Sequence, residues 1–282
     1  MGIANQFKTG LLLSSLSILL LIVGELAGGV QGLTIAIIFA LLMNVGSYFY
    51  SDKLVLKMYK AKEVNKEHEL YKMVDKLRKK AELPMPKVYV IPSATPNAFA
   101  TGRNPKHSAV AATEGILKLL NHDELEGVMA HELAHVKNRD TLIATIAATI
   151  ASVIAYVAMM ARWAAIFGGF GGNDRRGGSG LELLVLAILT PIIATIIQLA
   201  ISRSREYLAD DGAAKISGNP KALADALRKI SSGVAQHPMR STENTRTTAS
   251  LFIINPLKGG GFVSLFSTHP PVQKRIERLQ NR

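Results

Sequence analysis

The chain contains no cysteine. That excludes disulfides and thiolate metal ligands outright, and otherwise fits a reducing compartment or is neutral. Aromatic residues are scarce, at 6%, with a single tryptophan. They form no cluster suited to stacking on bases, and no known nucleic-acid module is present. The net charge of +12 is therefore not read as a nucleic-acid footprint. Charge is missing from four long stretches. Leu11 to Val30 carries only Glu25, and Leu33 to Tyr50 carries none. Leu142 to Ala161 is uncharged, and so is Leu183 to Ser202 apart from its terminal neighbours, with Gln198 as the main polar interruption. Each stretch is about 18 to 20 residues long, enough for a helix to cross roughly 30 Å of hydrocarbon.

Four such stretches exceed what the core of a 282-residue soluble protein could hide. Four transmembrane helices are predicted. Pro191 inside the fourth is tolerated in membrane helices, often as a kink. The first stretch resembles a signal peptide, with Lys8 before it and Ala27-Gly28-Gly29 small enough for a cleavage site. The second begins almost at once, so a tight helical hairpin is the better reading. Sixteen of the 33 lysines and arginines fall in residues 52–140 and 13 in residues 203–282. With four spans these segments share one side with the N-terminus. The positive-inside rule makes that side cytoplasmic. The outer loop, 168–180, is rich in glycine and reads as a flexible connector.

The domain order follows: a membrane hairpin over 1–51 (spans 11–30 and 33–50), a cytoplasmic part over 52–141, a second hairpin over 142–202 (spans 142–161 and 183–202), and a cytoplasmic part over 203–282. Apolar residues at helical spacing, Leu70, Val74 and Leu77, predict a helix ending before Pro84. Lys87 to Ile91 reads as a strand. Asn97 to Thr101 and Ser108 to Ala112 read as two more, joined by turn residues Gly102 to Pro105. A small antiparallel sheet is expected. Thr113 to Leu120 suits a short helix. Asn121, with Glu124 three positions on, has the form of a capping box. Gly127 is an interior glycine that could let the sheet approach.

His131-Glu132-Leu133-Ala134-His135 lies on that helix. Residues i and i+4 share a face, so both imidazoles can grip one ion. Glu132 turns toward the open metal position, where it can act as general base toward a water the metal has acidified. A catalytic zinc needs a third protein ligand. Glu206, just after the fourth stretch, is on the same side. Asp210, one turn later, can accept the second N–H of a ligating histidine. Asp211 is turned about 100° away and is the weaker candidate. Arg203 and Arg205 could pair with Asp210 or Asp140, or merely anchor their helix. His68, His107, His122 and His237 have no partner motif and read as surface residues.

Together with Asn138-Arg139-Asp140, Ser202-Arg203 through Asp210, Pro96 to Ala100 and Ser267 to Pro271, this pentapeptide resembles the HtpX family of bacterial membrane-bound zinc metalloproteases. That family is related to the CAAX prenyl proteases and the Oma proteases. The resemblance covers nearly the whole chain. It implies a gluzincin-like core with one zinc on His131, His135 and Glu206, and Glu132 as base. The fold expected is mainly α, with four membrane helices and a cytoplasmic zincin domain carrying a small antiparallel sheet. The resemblance also implies cleavage of damaged or misfolded membrane proteins or unfolded polypeptides. The place implied is the cytoplasmic face of the bacterial inner membrane, as part of a stress response. Asn97, Ala98 and Phe99 resemble the edge strand that receives substrate. His269 is a candidate donor to the developing oxyanion, and so a second catalytic residue. A CAAX-type prenyl-peptide protease would share every catalytic residue, but four spans rather than a larger helical chamber argue against it. A non-catalytic transporter or scaffold with a structural metal would close the fourth metal position and leave Glu132 without a purpose. The oligomeric state is not legible.

Overall fold

The structure, a computed structural model, describes residues 2–167, 180–236, 253 and 269–282. The expected glycine-rich loop, all but its last residue, lies outside the described residues, as do His237, Ser267 and Thr268. The chain divides into two units. One comprises residues 1–6, 49–142 and 202–282; the other comprises 7–48 and 143–201. The two basic segments read from the sequence thus fall into one unit.

The second unit is built from long helices. Helix α1 is unbroken from Gly2 to Met58, 57 residues. The reversal expected near residues 31–32 is not formed. Gly28, Gly29 and Gly32 weaken a helix by about 1 kcal/mol each, yet each keeps its backbone N–H, and no proline interrupts the ladder. Helix α5 runs Asp140–Phe167 and α6 runs Gly180–Ser217 with Pro191 inside it. The unit's core joins Leu16 and Leu20 of α1 to Ala147, Val153, Ile154 and Val157 of α5 and Ala194 and Ile201 of α6. Among the described residues, Asp140–Met160 is the one stretch long and apolar enough to cross a membrane. The other expected spans include residues whose side chains lie outside the description.

The first unit holds a four-stranded sheet of order β1-β2-β4-β3. The strands are β1 (Lys62–Glu63), β2 (Lys87–Ile91), β3 (Ala98–Asn104) and β4 (His107–Thr113). The sheet is mixed rather than antiparallel, because β4 pairs parallel with β2 and antiparallel with β3. After β2 the chain crosses to the far edge, descends as β3, and returns as β4 into the gap. Residues 108–113 are buried without alternation, which is what a central strand covered on both faces requires. Gly102, at φ +122°, permits the β3–β4 turn: a Cβ there would meet the His107 carbonyl oxygen at 2.1 Å. Two-residue β1 was too short to read from the sequence.

Helix α2 (Glu69–Lys80) buries Leu70, Met73, Val74 and Leu77, which includes the expected stripe. Thr113 caps α3 (Glu114–Leu119). Helix α4 (His122–Lys137) starts with the expected capping box between Asn121 and Glu124. Every residue from Glu124 to Ala134 is buried, so α4 is the central helix of the unit. Gly127 admits α7 (Pro220–Gln236) and not the sheet: a Cβ there would stand 3.0 Å from the Leu223 nitrogen. Helix α8 (Val272–Gln280) closes the described chain.

Candidate metal centre

Helix α4 carries His131 and His135 on one face, as the four-residue spacing dictates. Their Nε2 atoms point at each other, 3.0 Å apart, with the rings nearly perpendicular at 87°. Glu206, on the part of α6 that follows Ile201, completes the group. Its Oε2 lies 3.6 Å from His131 Nε2 and its Oε1 lies 3.5 Å from His135 Nε2. One donor atom from each of the three residues lies within 4.8 Å of the others.

The outer nitrogens are held as well. His131 Nδ1 is 3.1 Å from Asp210 Oδ1, and His135 Nδ1 is 2.6 Å from Asp140 Oδ2. With Nδ1 protonated toward a carboxylate, each Nε2 is left as a lone pair facing the common point. The Asp210 partner is the one the sequence reading expected. Asp140 was read only as a possible arginine partner, and its contact with His135 was missed. The i, i+5 separation across a helix end carries no signal, because only the turn after α4 brings Asp140 back to the ring.

The donor set fits a divalent cation. Glu206 Oε2 is buried and makes no hydrogen bond, although Arg275 Nη1 stands 3.0 Å away as an ion-pair partner. Glu132, Glu206, Asp140 and Asp210 are four carboxylates, set against the two guanidiniums of Arg205 and Arg275. With both imidazoles counted as neutral, the formal remainder is two negative charges. The electrostatic surroundings of His131 agree. Burial alone would depress the His131 imidazole, but hydrogen bonds to Asp210 and Glu206 raise it to about 9. The surroundings therefore call for positive charge where the imidazoles meet.

Burial also pushes the Glu132 carboxyl above its usual range, against the pull of His131 and His135. A hydrogen bond from the Ala100 backbone on β3 works the other way. Glu206 is held well below the usual carboxylate range: burial opposes ionisation, and His269 and Arg275 overcome it. His269 Nε2 lies 3.4 Å from Glu206 Oε1, so this remote candidate does reach the cluster. Burial, countered in part by Glu206, depresses the His269 imidazole.

Asn97 is 2% exposed. Its Oδ1 accepts from Ile253 N–H, and its backbone N–H donates to Thr113 Oγ1. Phe99 packs on Val55, Ile91 and Ala111, with Tyr59 tilted against its ring, and Ala98 is fully buried. These three side chains face the protein's own interior. A groove beside them is lined by Ala100 to Arg103 of β3 and by His135 of α4.

Arg275 was not legible beforehand. It is the largest fully buried side chain, at 0% exposure, and it forks onto both oxygens of Asp210 at 2.9 and 2.7 Å. In the sequence it is one of several basic residues on a charged amphipathic helix, a pattern that normally faces solvent. Asp211 instead receives Arg278 and Arg282, and Arg278 also lies over the Tyr207 ring. His107 and His122 are exposed, as expected, and His68 caps α2.

Residues 64–282 match the description of peptidase family M48. The chain belongs to that family. It is a metallopeptidase. His131, His135 and Glu206 form a group able to hold a metal ion. The chain is 56% identical over 278 residues to a protease HtpX homolog of Desulfatibacillum aliphaticivorans, covering 98% of this chain and 89% of that one. A protease HtpX homolog of Pyrococcus furiosus is 53% identical over 282 residues, covering 99% and 96%. The fold is similar to the crystal structure of S. mikatae Ste24p, with a TM-score of 0.61 at 18% identity, covering 98% of this chain and 66% of that chain.

Proposed function

We propose that this chain is a zinc-dependent endopeptidase that cuts damaged or misfolded membrane proteins at the cytoplasmic face of a bacterial inner membrane. The observation that carries the reading is the convergence of His131, His135 and Glu206 donors within 4.8 Å, each histidine backed by a carboxylate. Two imidazoles and one carboxylate suit zinc, and they leave a position open for chemistry. When bound, the ion supplies Lewis acidity that polarises the scissile carbonyl and lowers the pKa of a water.

Glu132 does the proton work. Its burial raises its proton affinity above that of an ordinary carboxylate, which makes it the stronger base. It takes the proton of the attacking water and returns it to the leaving amine. His269, whose Nε2 lies 3.4 Å from Glu206 Oε1, donates to the oxygen on which negative charge develops. The substrate lies extended along the β3 edge, in the groove that His135 helps to line. The backbone of Ala98 to Ala100 holds it there. The Asn97 side chain is turned inward, its oxygen engaged by Ile253, and supports the strand from behind.

Membrane attachment is supported by the apolar helices. Leu11, Ile18, Leu21, Val30, Ile188 and Ile196 are all at least half exposed, which suits lipid rather than water. Residues 142–161 and 183–202 lie between His135 and Glu206 in the chain, yet those two side chains meet. A crossing and a return satisfy both facts, and residues 11–50 supply the remaining membrane segment.

The test is proteolysis by detergent-purified protein. Glu132→Gln is expected to retain zinc and lose at least 1,000-fold in cleavage of an unfolded membrane protein, in proportion to the loss of a general base and its attendant charge. Undiminished cleavage would remove Glu132 from the mechanism. Preference for a prenylated peptide over the unfolded protein would replace the substrate class.

A further inference from the structure

The two histidines are anchored by two arginine–carboxylate pairs from different parts of the chain. Arg275 of α8 holds Asp210, which faces His131. Arg205 of α6 holds Asp140, which faces His135. The second arrangement is the less expected. Asp140 uses Oδ2 for the imidazole and Oδ1 for the Arg205 guanidinium. The Arg205 Nη2 also donates to the Asn138 carbonyl oxygen at 2.9 Å. Arg205 is therefore fixed at two points, and it immediately precedes the metal ligand Glu206.

The backbone is bent to make this contact. Asn138 N–H bonds the Ala134 oxygen and Arg139 N–H bonds the Val136 oxygen, closing α4. Arg139 then takes φ +54°, a left-handed conformation usually left to glycine. That costs on the order of 1 kcal/mol. It turns Asp140 back toward the last turn of α4, where its carboxylate meets His135. A strained non-glycine residue beside a metal ligand points to a constraint worth keeping.

We propose that Arg205 is a positioning residue for the metal ligand His135, acting through Asp140. This rests on the metal reading above. A lone carboxylate can rotate about its side-chain bonds and present either oxygen. With its other oxygen engaged by a planar guanidinium, and that guanidinium tied to Asn138, the Asp140 carboxylate has one orientation. It then fixes the tautomer and tilt of His135, so that the Nε2 lone pair faces the point shared with His131 and Glu206. Because Arg205 and Glu206 are neighbours on α6, one helix places a ligand directly and a second ligand indirectly.

The experiment measures zinc affinity of the full-length protein in detergent, by competition with a coloured chelator, independently of proteolysis. Arg205→Met is expected to weaken zinc binding 10–100-fold, as is Asp140→Asn. The double variant should bind no more weakly than Asp140→Asn alone, because Arg205 has nothing left to act through. Arg205→Lys keeps the charge without the planar two-point grip and should fall between wild type and Arg205→Met. The visible spectrum of the cobalt-substituted protein should change in Arg205→Met, reporting altered ligand geometry. Wild-type affinity in Arg205→Met overturns the proposal, and so do fully additive losses in the double variant. If Arg205→Met does not fold, Arg205→Lys decides: wild-type affinity and an unchanged cobalt spectrum there overturn it. A wild-type protein that binds no zinc would instead overturn the metal reading, and the proposal with it.

Discussion

At the scale of single residues, the centre sets a carboxylate against the outer nitrogen of each histidine. Asp210 is buried, faces His131 and is held ionised: burial opposes its charge and Arg275 overcomes that penalty. Arg275→Met removes the cation and leaves Asp210 and Glu206 without it. Breaking such a buried pair from one side typically costs about 3–5 kcal/mol. The metal-free protein should show this as a lower unfolding midpoint, and zinc should recover part of the loss by binding Glu206. An unchanged midpoint would mean that Arg275 is not needed for the fold. The meeting of His131 and His135 was legible because i, i+4 spacing on a helix is a local property. Arg275 was not, because nothing in Val272 to Gln280 distinguishes the arginine that turns inward from those that remain partly exposed.

At the scale of elements, α4 does most of the positioning. Its start is fixed by the Asn121–Glu124 capping box, with both reciprocal hydrogen bonds at 2.9 Å. Asn121→Ala should cost about 1 kcal/mol and lower the apparent Tm by roughly 2–4 °C. Thermal unfolding in detergent reads it, and no change would mean that tertiary packing alone fixes the helix start. Gly127 offers a sharper test because two effects oppose each other. Helix propensity favours alanine there by about 1 kcal/mol. The Leu223 backbone, 3.0 Å from the would-be Cβ, opposes it. Gly127→Ala is expected to lower Tm, since backbone cannot yield as a flexible side chain can; a higher Tm would show that α7 moves aside freely. The helices and the cap were legible through periodicity and capping chemistry. The direction of β4 was not, because a central strand of small apolar residues has no alternation to reveal its neighbours.

At the scale of the whole molecule, the site joins segments about seventy residues apart in sequence along α4 and α6, plus the distant His269 and Arg275. Removing zinc with a chelator should abolish proteolysis, and zinc should restore it; activity persisting in chelator would exclude a metal mechanism. The absence of cysteine makes topology directly testable. A single cysteine introduced at Asn173 should react with a membrane-impermeant maleimide from outside the cell. One introduced at Glu82 or Asn281 should react only after the membrane is opened. Labelling of residue 82 in intact cells would reverse the proposed orientation.

The sequence by itself determined the chemistry of the centre. Two histidines one helical turn apart, a carboxylate between them and the Glu206–Asp210 pair are local patterns whose geometry follows from the rise and rotation of an α-helix. It also determined where the long apolar stretches fall. Only the tertiary structure decided which basic residues become part of the centre, and that Asp140 serves His135. It also decided that α7 rather than the sheet lies against Gly127, that the small sheet is mixed, and that α1 continues through its glycines. Those outcomes depend on packing between segments remote in the chain. A residue's spacing to its neighbours fixes which way it points on its own helix, but not what the rest of the fold puts in front of it.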